Sequence, residues 1–358
     1  MKKIIYPILS LLVLAGCSKN EINTGIDDDS VEIKLKPSVG QIDAETTRGE
    51  GMKNSTSFPL NKASFVLAHA TGGTAGTGNS TWTGAAFGVA LEISFANSST
   101  ATSFSPPEHY LSTGKETKVI GWHPGTTATG VSSTYSSLTR EVGFAAIDGE
   151  TDIMATELRT GNKAVGSRIT TTEFKHLLTQ ISVQAYATTQ GEADAWGGIE
   201  SIEVIDKKQS ISFTLPDPSG AGTTYTNFVA GNVKSNLPIV KKNPADNSQI
   251  DGGTAGTVWS AANRFAVGIG ATSAAAKLAG YAMFAPEIGP NSYITLRVVT
   301  EKNTTGQNVK VNAPTFNSIT GFQAGYKYAV TLKLTGAVIE PIVTIADWTT
   351  GDPVEVEM

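Results

Sequence analysis

Val31-Glu32-Ile33-Lys34-Leu35-Lys36-Pro37 sets aliphatic residues at every second position against Glu and Lys. In an extended chain this places the apolar side chains on one face and the charges on the other, the pattern of a half-buried strand, which Pro37 is expected to end. The same alternation returns in Leu91-Glu92-Ile93-Ser94-Phe95, Ile181-Ser182-Val183, Ile211-Ser212-Phe213-Thr214-Leu215, Ile294-Thr295-Leu296-Arg297-Val298 and Tyr328-Ala329-Val330-Thr331-Leu332-Lys333-Leu334. Clusters of Gly, Ser, Thr, Asn and Pro at 71–80, 97–107, 123–134, 216–224 and 251–257 separate these runs and read as surface loops. Helix candidates are confined to about 170–180 and the Ala-rich 271–279. Short strands without regular strand and helix alternation predict an all-β chain of antiparallel β-sandwiches.

The chain has 358 residues, enough for roughly two domains of ordinary size, and the pattern places their boundary near residue 168. The hexapeptide Gly-Gly-Thr-Ala-Gly-Thr occurs at 72–77 and again at 252–257, followed by Trp82 and Trp259, a weak echo of duplication. Charged residues make up only 16%, low for a helical enzyme, and 27 Lys and Arg against 32 Asp and Glu leave a net charge of -5. No basic face for nucleic acid is present in such a balance.

Lys2 and Lys3 precede an apolar run, Ile4 to Leu14, too short to span about 30 Å of hydrocarbon. Residues 1–16 read as a signal peptide, and Leu14-Ala15-Gly16-Cys17 resembles the lipobox of bacterial lipoproteins. Diacylation of Cys17 would anchor the mature chain to a membrane. Cys17 is the single cysteine, so no intramolecular disulfide is available and packing alone must hold the exported protein together. Residues 17–48 then form an acylated tether followed by the first strand. Its Asp27-Asp28-Asp29 run lacks the ligand spacing of a calcium loop and resembles the export signals of surface lipoproteins.

Motifs for chemistry are missing. His69, His109, His123 and His176 stand singly, without a His-Glu-x-x-His pair or cysteines to complete a zinc set. Gly268-Ile269-Gly270-Ala271-Thr272-Ser273 lacks the third glycine of a dinucleotide loop, and no Gly-x-Ser-x-Gly elbow occurs. The expectation is a protein without catalytic residues, metal or cofactor. Of Trp82, Trp122, Trp196, Trp259 and Trp348, most are expected in the core. Trp196 is the exception to watch, because Ala195-Trp196-Gly197-Gly198 reads as a turn where a Trp would need a functional reason to be exposed; packing remains the favoured reading there too.

The lipobox, Gly121-Trp122-His123-Pro124, Thr151-Asp152-Ile153-Met154-Ala155, Phe174-Lys175-His176-Leu177-Leu178-Thr179-Gln180-Ile181-Ser182-Val183, Gly321-Phe322-Gln323-Ala324-Gly325-Tyr326-Lys327-Tyr328 and Ile345-Ala346-Asp347-Trp348-Thr349 occur in one order along the chain. Together they resemble the fimbrillin-like family of Bacteroides-type bacteria, which includes subunits of type V pili. The resemblance implies two tandem transthyretin-like β-sandwiches, here 49–168 and 169–358, and export to the outer membrane as a lipoprotein. It also implies polymerisation with other pilin subunits after an Arg-specific protease removes an N-terminal segment.

Arg48 and Gly49, in a polar stretch behind the first strand, are the candidate processing site. Cleavage there would remove Val31, Ile33 and Leu35 and open an edge for a donated strand. A donor is sought in 338–358, with Val343, Ile345, Val354, Val356 and Met358 as the apolar positions. If 341–348 is an ordinary strand of the second sandwich, the subunit accepts a strand but donates poorly, and a tip or anchor role rises. The expected output is adhesion or biofilm formation, with host or bacterial surface ligands as further partners. The alternative from the residues alone is a monomeric surface lipoprotein that captures glycans or host ligands on its loops.

Overall fold

The computed structural model describes residues 30–39, 61–74, 79–95, 100–128, 130–241, 258–316, 318–347 and 353–355. They are mostly β. A large sheet runs in the order Leu91–Phe95, Asn61–His69, Thr117–His123, Met154–Thr156, Thr171–His176, Lys34–Val39, Thr102–Ser103, with Arg159–Gly161 also paired to Thr117–His123. A second sheet orders Thr226–Ala230, Ile211–Thr214, Glu141–Phe144, Ser133–Ser136, taking strands from both sides of residue 168. In the third, Thr179–Ala187 lies between Lys277–Phe284 and Tyr326–Leu334, followed by Ile339–Asp347 and Pro353–Glu355. The fourth orders Lys234–Pro238, Ile199–Lys208, Tyr293–Thr300, Asn303–Asn312.

Alternation along the strands builds the cores. Val66, Ile120 and Trp122 of the large sheet join Val142, Phe144 and Phe213 of the second in one buried cluster. The Trp122 indole N–H donates to Ser133 Oγ at 2.7 Å, tying the two sheets by a hydrogen bond inside that core. Ile181, Val183, Tyr328 and Val330 of the third sheet meet Ile202, Val204, Leu296 and Val309 of the fourth in another. Gly121 is a packing requirement, because a Cβ there would stand 2.3 Å from Phe65 Cδ1.

Three expectations are corrected. Residues 170–180 are not a helix but the end of one strand and the start of the next. Thr172, Phe174 and His176 are buried at alternate positions, a period of two that only a strand serves. Residues 271–279 hold a single 3-10 turn, Ser273–Ala275, before Lys277–Phe284 pairs with Thr179–Ala187, so sheet pairing overrides alanine propensity. The sheets are also not purely antiparallel: Thr179–Ala187 runs parallel to Tyr326–Leu334, and Lys34–Val39 parallel to Thr171–His176.

An α-helix that the sequence reading did not anticipate, Gln190–Trp196, runs into the expected turn at 195–198. Thr189 and Glu192 form a reciprocal capping box, and Gly197 ends the helix at φ 68. Trp196 is therefore buried on the helix, its indole N–H donating to the Thr335 carbonyl, and is not exposed for a functional reason.

Asp152 links three strands of the large sheet. Its carbonyl accepts from His123 Nδ1 at 2.9 Å, and its carboxylate lies 2.7 Å from His176 Nδ1, with Met154 paired to both histidines. Burial holds the His123 ring neutral down to a pKa of about 4, partly offset by the Asp152 hydrogen bond. An unfolded chain protonates this ring near 6.5, so below that pH the unfolded state takes up a proton that the folded state refuses. The stabilisation is complete above pH 6.5 and falls away towards pH 4.

Two measurements follow. Gly121→Ala should lower stability by about 1–3 kcal/mol in urea unfolding through overpacking against Phe65; an unchanged midpoint would contradict the contact. Between pH 7 and pH 4 the wild type should lose about 3 kcal/mol more than His123→Gln. Parallel curves for the two proteins would show that His123 is not the group responsible.

Candidate functional site

The first strand, Lys34–Val39, is held on both edges. Lys36 to Val39 run parallel to Thr171–Phe174, while Lys34 and Leu35 run antiparallel to Ser103 and Thr102. Upstream, the Ile33 N–H donates to the Glu108 carbonyl at 2.8 Å, and the Val31 carbonyl accepts from the Tyr110 N–H at 2.9 Å. The ladder continues through Pro37 instead of ending there. Because the Lys36 N–H donates to the Thr170 carbonyl, at 2.9 Å, the nitrogen of Pro37 points to the opposite edge. Pairing with Thr102–Ser103 reaches only Lys34 and Leu35, so no ladder bond is lost there.

Ile33 and Leu35 are 0% exposed and Val39 is 1% exposed, while Lys34 and Lys36 stay in solvent and Val31 is half-buried. Val39 extends the apolar face beyond the predicted end of the strand. These side chains enter a cluster with Phe65, Phe95, Phe104, Tyr110 and Phe174. Phe65 meets Phe95, Phe104 and Phe174 edge-on, at centroid distances of 6.1, 5.9 and 6.0 Å. Each buried aliphatic side chain contributes about 1.5–3 kcal/mol.

Tyr110 supports the outer wall. Its hydroxyl accepts from the Ile169 N–H at 2.6 Å, fixing the chain just before Thr170, and burial pushes the phenol pKa up. The whole is a groove filled by a plug: two backbone edges, a row of apolar pockets, and a strand that answers both. Any segment with the same alternation and one free backbone edge on each side meets those requirements.

Of the remaining predicted site residues, Val343 and Ile345 are inner residues of Ile339–Asp347, each 1% exposed and packed in the core of the third and fourth sheets. The backbone of that strand pairs with Tyr326–Leu334 along its length, and Ile345 also stands opposite Val354 of Pro353–Glu355. Cys17, Arg48, Gly49, Val356, Met358 and Trp348 lie outside the described residues, as do the Asp27–Asp29 run and the second copy of the hexapeptide. His69 Nδ1 lies 2.9 Å from Thr117 Oγ1, and His109 bridges to Glu32, so the histidines do not converge beyond the pair on Asp152. Trp259 is buried with its indole N–H on the Ala279 carbonyl at 2.8 Å.

Sequence reasoning missed Phe104, Tyr110 and Ile169. Phe104 and Tyr110 lie in or next to stretches rich in Ser, Thr and Pro, and no periodicity marks them as walls of the groove.

A family model described as fimbrillin-like matches residues 61–348, and a second, described as a prokaryotic membrane lipoprotein lipid attachment site, matches residues 1–18. Among solved structures, a candidate cell adhesion protein from Bacteroides uniformis aligns over 90% of this chain and 100% of its own, at 12% identity and a TM-score of 0.50. A candidate cell adhesion protein from Bacteroides ovatus aligns over 90% and 99%, at 11% identity and a TM-score of 0.49. The tip fimbrial protein Mfa3 from Porphyromonas gingivalis, truncated at its C-terminus, aligns over 89% and 100%, at 9% identity and a TM-score of 0.41. No curated protein matches in sequence. The chain belongs to the fimbrillin-like family, whose members are non-enzymatic structural proteins, and its lipid attachment site implies a membrane-anchored surface location.

Leu35→Ala should cost about 2–5 kcal/mol of stability by leaving a cavity against Phe65 and its neighbours. Lys36→Ala, on the solvent face of the same strand, should stay within about 0.5 kcal/mol of wild type. Equal effects in denaturant titrations would contradict the burial of Leu35.

Proposed function

We propose, from the premise of a fimbrillin-like lipoprotein, that this chain is a subunit of a cell-surface type V pilus, polymerised by strand exchange after proteolysis between Arg48 and Gly49. The observation that carries the proposal is the position of Lys34–Val39. It is joined to the next described strand by residues 40–60, which contain Arg48, and its apolar face fills a groove built entirely by later parts of the chain. Cutting the link detaches the plug together with the acylated Cys17, so release from the outer membrane and opening of the groove become one event. A strand from another subunit then restores the backbone ladder and the packing, and head-to-tail repetition extends a filament.

The C-terminal end favours the accepting half of this exchange. Val343 and Ile345 are committed to their own core and Pro353–Glu355 is paired to the same sheet, so donation would first require that sheet edge to be stripped. A subunit that accepts and does not donate ends a polymer, and once cleavage has removed its acylated Cys17 it no longer anchors, which favours the tip over the stalk; the anchor role belongs to a chain left uncut. The proposed organisation is two tandem transthyretin-like sandwiches, 49–168 and 169–358, with the second sheet shared across the boundary. The protease is Arg-specific, the partners are other pilin subunits, and the output is adhesion or biofilm formation.

Mass spectrometry of the N-terminus in sheared and membrane-retained material tests this directly. The proposal expects high-mass sheared polymers whose chain begins at Gly49, and an Arg48→Ala variant that stays acylated at Cys17 and unpolymerised. Polymers that retain residues 17–48, or normal filaments from Arg48→Ala, would overturn it.

A further inference from the structure

We infer that the fourth sheet carries a binding cleft for the terminal sugar of a neutral glycan, built by Asp206, Lys207, Lys234, Glu287, Asn291 and Tyr293. The cleft is open and has a volume of about 300 Å³, at the small end of ligand sites. It forms where the ladder between Ile199–Lys208 and Lys234–Pro238 shifts register between Val204 and Lys207. Such bulges bend a strand and re-aim its side chains.

The floor is a buried charge that is already satisfied. The Lys207 side chain is 4% exposed, its Nζ is 2.7 Å from Glu287 Oε1, and it lies 5.2 Å from the centroid of Phe284. On the rim, Asp206 and Asn291 both hold left-handed backbone, at φ 56 and φ 63. Left-handed backbone is uncommon outside glycine, although Asp and Asn adopt it more readily than other residues, so these two positions fix the turns of the rim. The Asp206 N–H donates to Asn236 Oδ1 at 3.3 Å, which helps to hold that turn. Tyr293 forms one wall, 48% exposed, with Lys310 Nζ 4.3 Å from its ring centroid.

The lining selects the ligand by exclusion and by fit. Among the residues that line the cleft, two ammonium groups, Lys207 and Lys234, are matched by two carboxylates, Asp206 and Glu287, so the lining itself has no net charge with which to draw a phosphate or sulfate. Lys310, outside the lining, is engaged on the Tyr293 ring. Polar side chains dominate the walls, so an acyl chain or apolar peptide side chain would leave carboxylate, amide and ammonium groups without partners. A sugar suits both features. Its hydroxyls donate to Asp206 and accept from Lys234 and Asn291, while a C–H face packs against the Tyr293 ring. The first-strand groove lies in a different sheet, so this site stands or falls independently of strand exchange. In a filament the cleft would recur or sit at an end, and repeated weak contacts would gain by avidity.

The test uses the full chain carrying Cys17→Ser on an array of neutral, sialylated and sulfated oligosaccharides, followed by calorimetric titration of the strongest neutral hit. The expected result is binding to neutral glycans, weakened at least tenfold by Asp206→Asn and by Tyr293→Ala and nearly preserved in Tyr293→Phe. Asn291→Gly separates binding from folding: it removes the amide but relieves the left-handed strain, so its melting temperature should hold or rise while affinity falls. Binding confined to anionic glycans, absence of any neutral hit, or wild-type affinity in Asp206→Asn and Tyr293→Ala would overturn the assignment.

Discussion

The large sheet is apolar on both faces, and this constraint shapes the N-terminal half of the molecule. Along Asn61–His69, Ala63, Phe65 and Leu67 belong to one buried cluster, while Val66 and Ala68 belong to another. A sheet of this kind must be covered twice. The second sheet covers one face through Val142, Phe144 and Phe213. The other face is completed by Ile33, Leu35 and Val39 together with Phe104 and Tyr110. Because a strand does part of that covering with its backbone bonded on both edges, only another strand can replace it without leaving polar groups orphaned.

The quoted motifs acquire a common purpose in three dimensions. His123, Asp152 and His176 come from three separate motifs and meet where the strands of the two histidines flank Met154–Thr156, which Asp152 precedes by two residues. A histidine pair on an aspartate suggests proton transfer on paper, but here all three are buried inside packed sheets and join strands. Leu177 and Leu178 then carry the chain from the large sheet to the third. There the Thr179 hydroxyl hydrogen-bonds the carbonyls of Phe322 and Gln323, at 2.9 and 2.8 Å, and the Gly325 N–H donates to the Leu178 carbonyl at 2.9 Å. Tyr328, pushed up to a pKa of about 12 by burial, accepts from the Gln323 N–H and donates to the Gly321 carbonyl. The motif Gly321–Tyr328 is thus a clasp on the passage from the large sheet to the third.

Part of the site was legible because a strand writes its burial into a two-residue period. Val31, Ile33 and Leu35 stand out on that ground alone. The end of the strand was misplaced at Pro37 because the penalty for proline depends on which edge its missing N–H faces, and pairing partners from residues 102–103 and 170–174 decide that. The helix Gln190–Trp196 had its signal in Thr189 and Glu192, a capping pair three residues apart, outweighed by the glycines that follow. The stretch 170–180 misled because Leu177 and Leu178 mimic a helical face at the point where two strands meet end to end.

The amino-acid sequence by itself determined the mostly-β class, the lipoprotein attachment signal at the N-terminus, and the inward face of the first strand. Each of these is carried by local order: a two-residue period, or an apolar run ending in Leu-Ala-Gly-Cys. Only the tertiary structure decided which segments border the first strand, that Val343 and Ile345 are spent on their own core, and that Asp206, Lys234, Glu287, Asn291 and Tyr293 share a cleft. Those facts depend on contacts between residues tens to more than a hundred positions apart, set by sheet order and register, for which a one-dimensional pattern carries no coordinate.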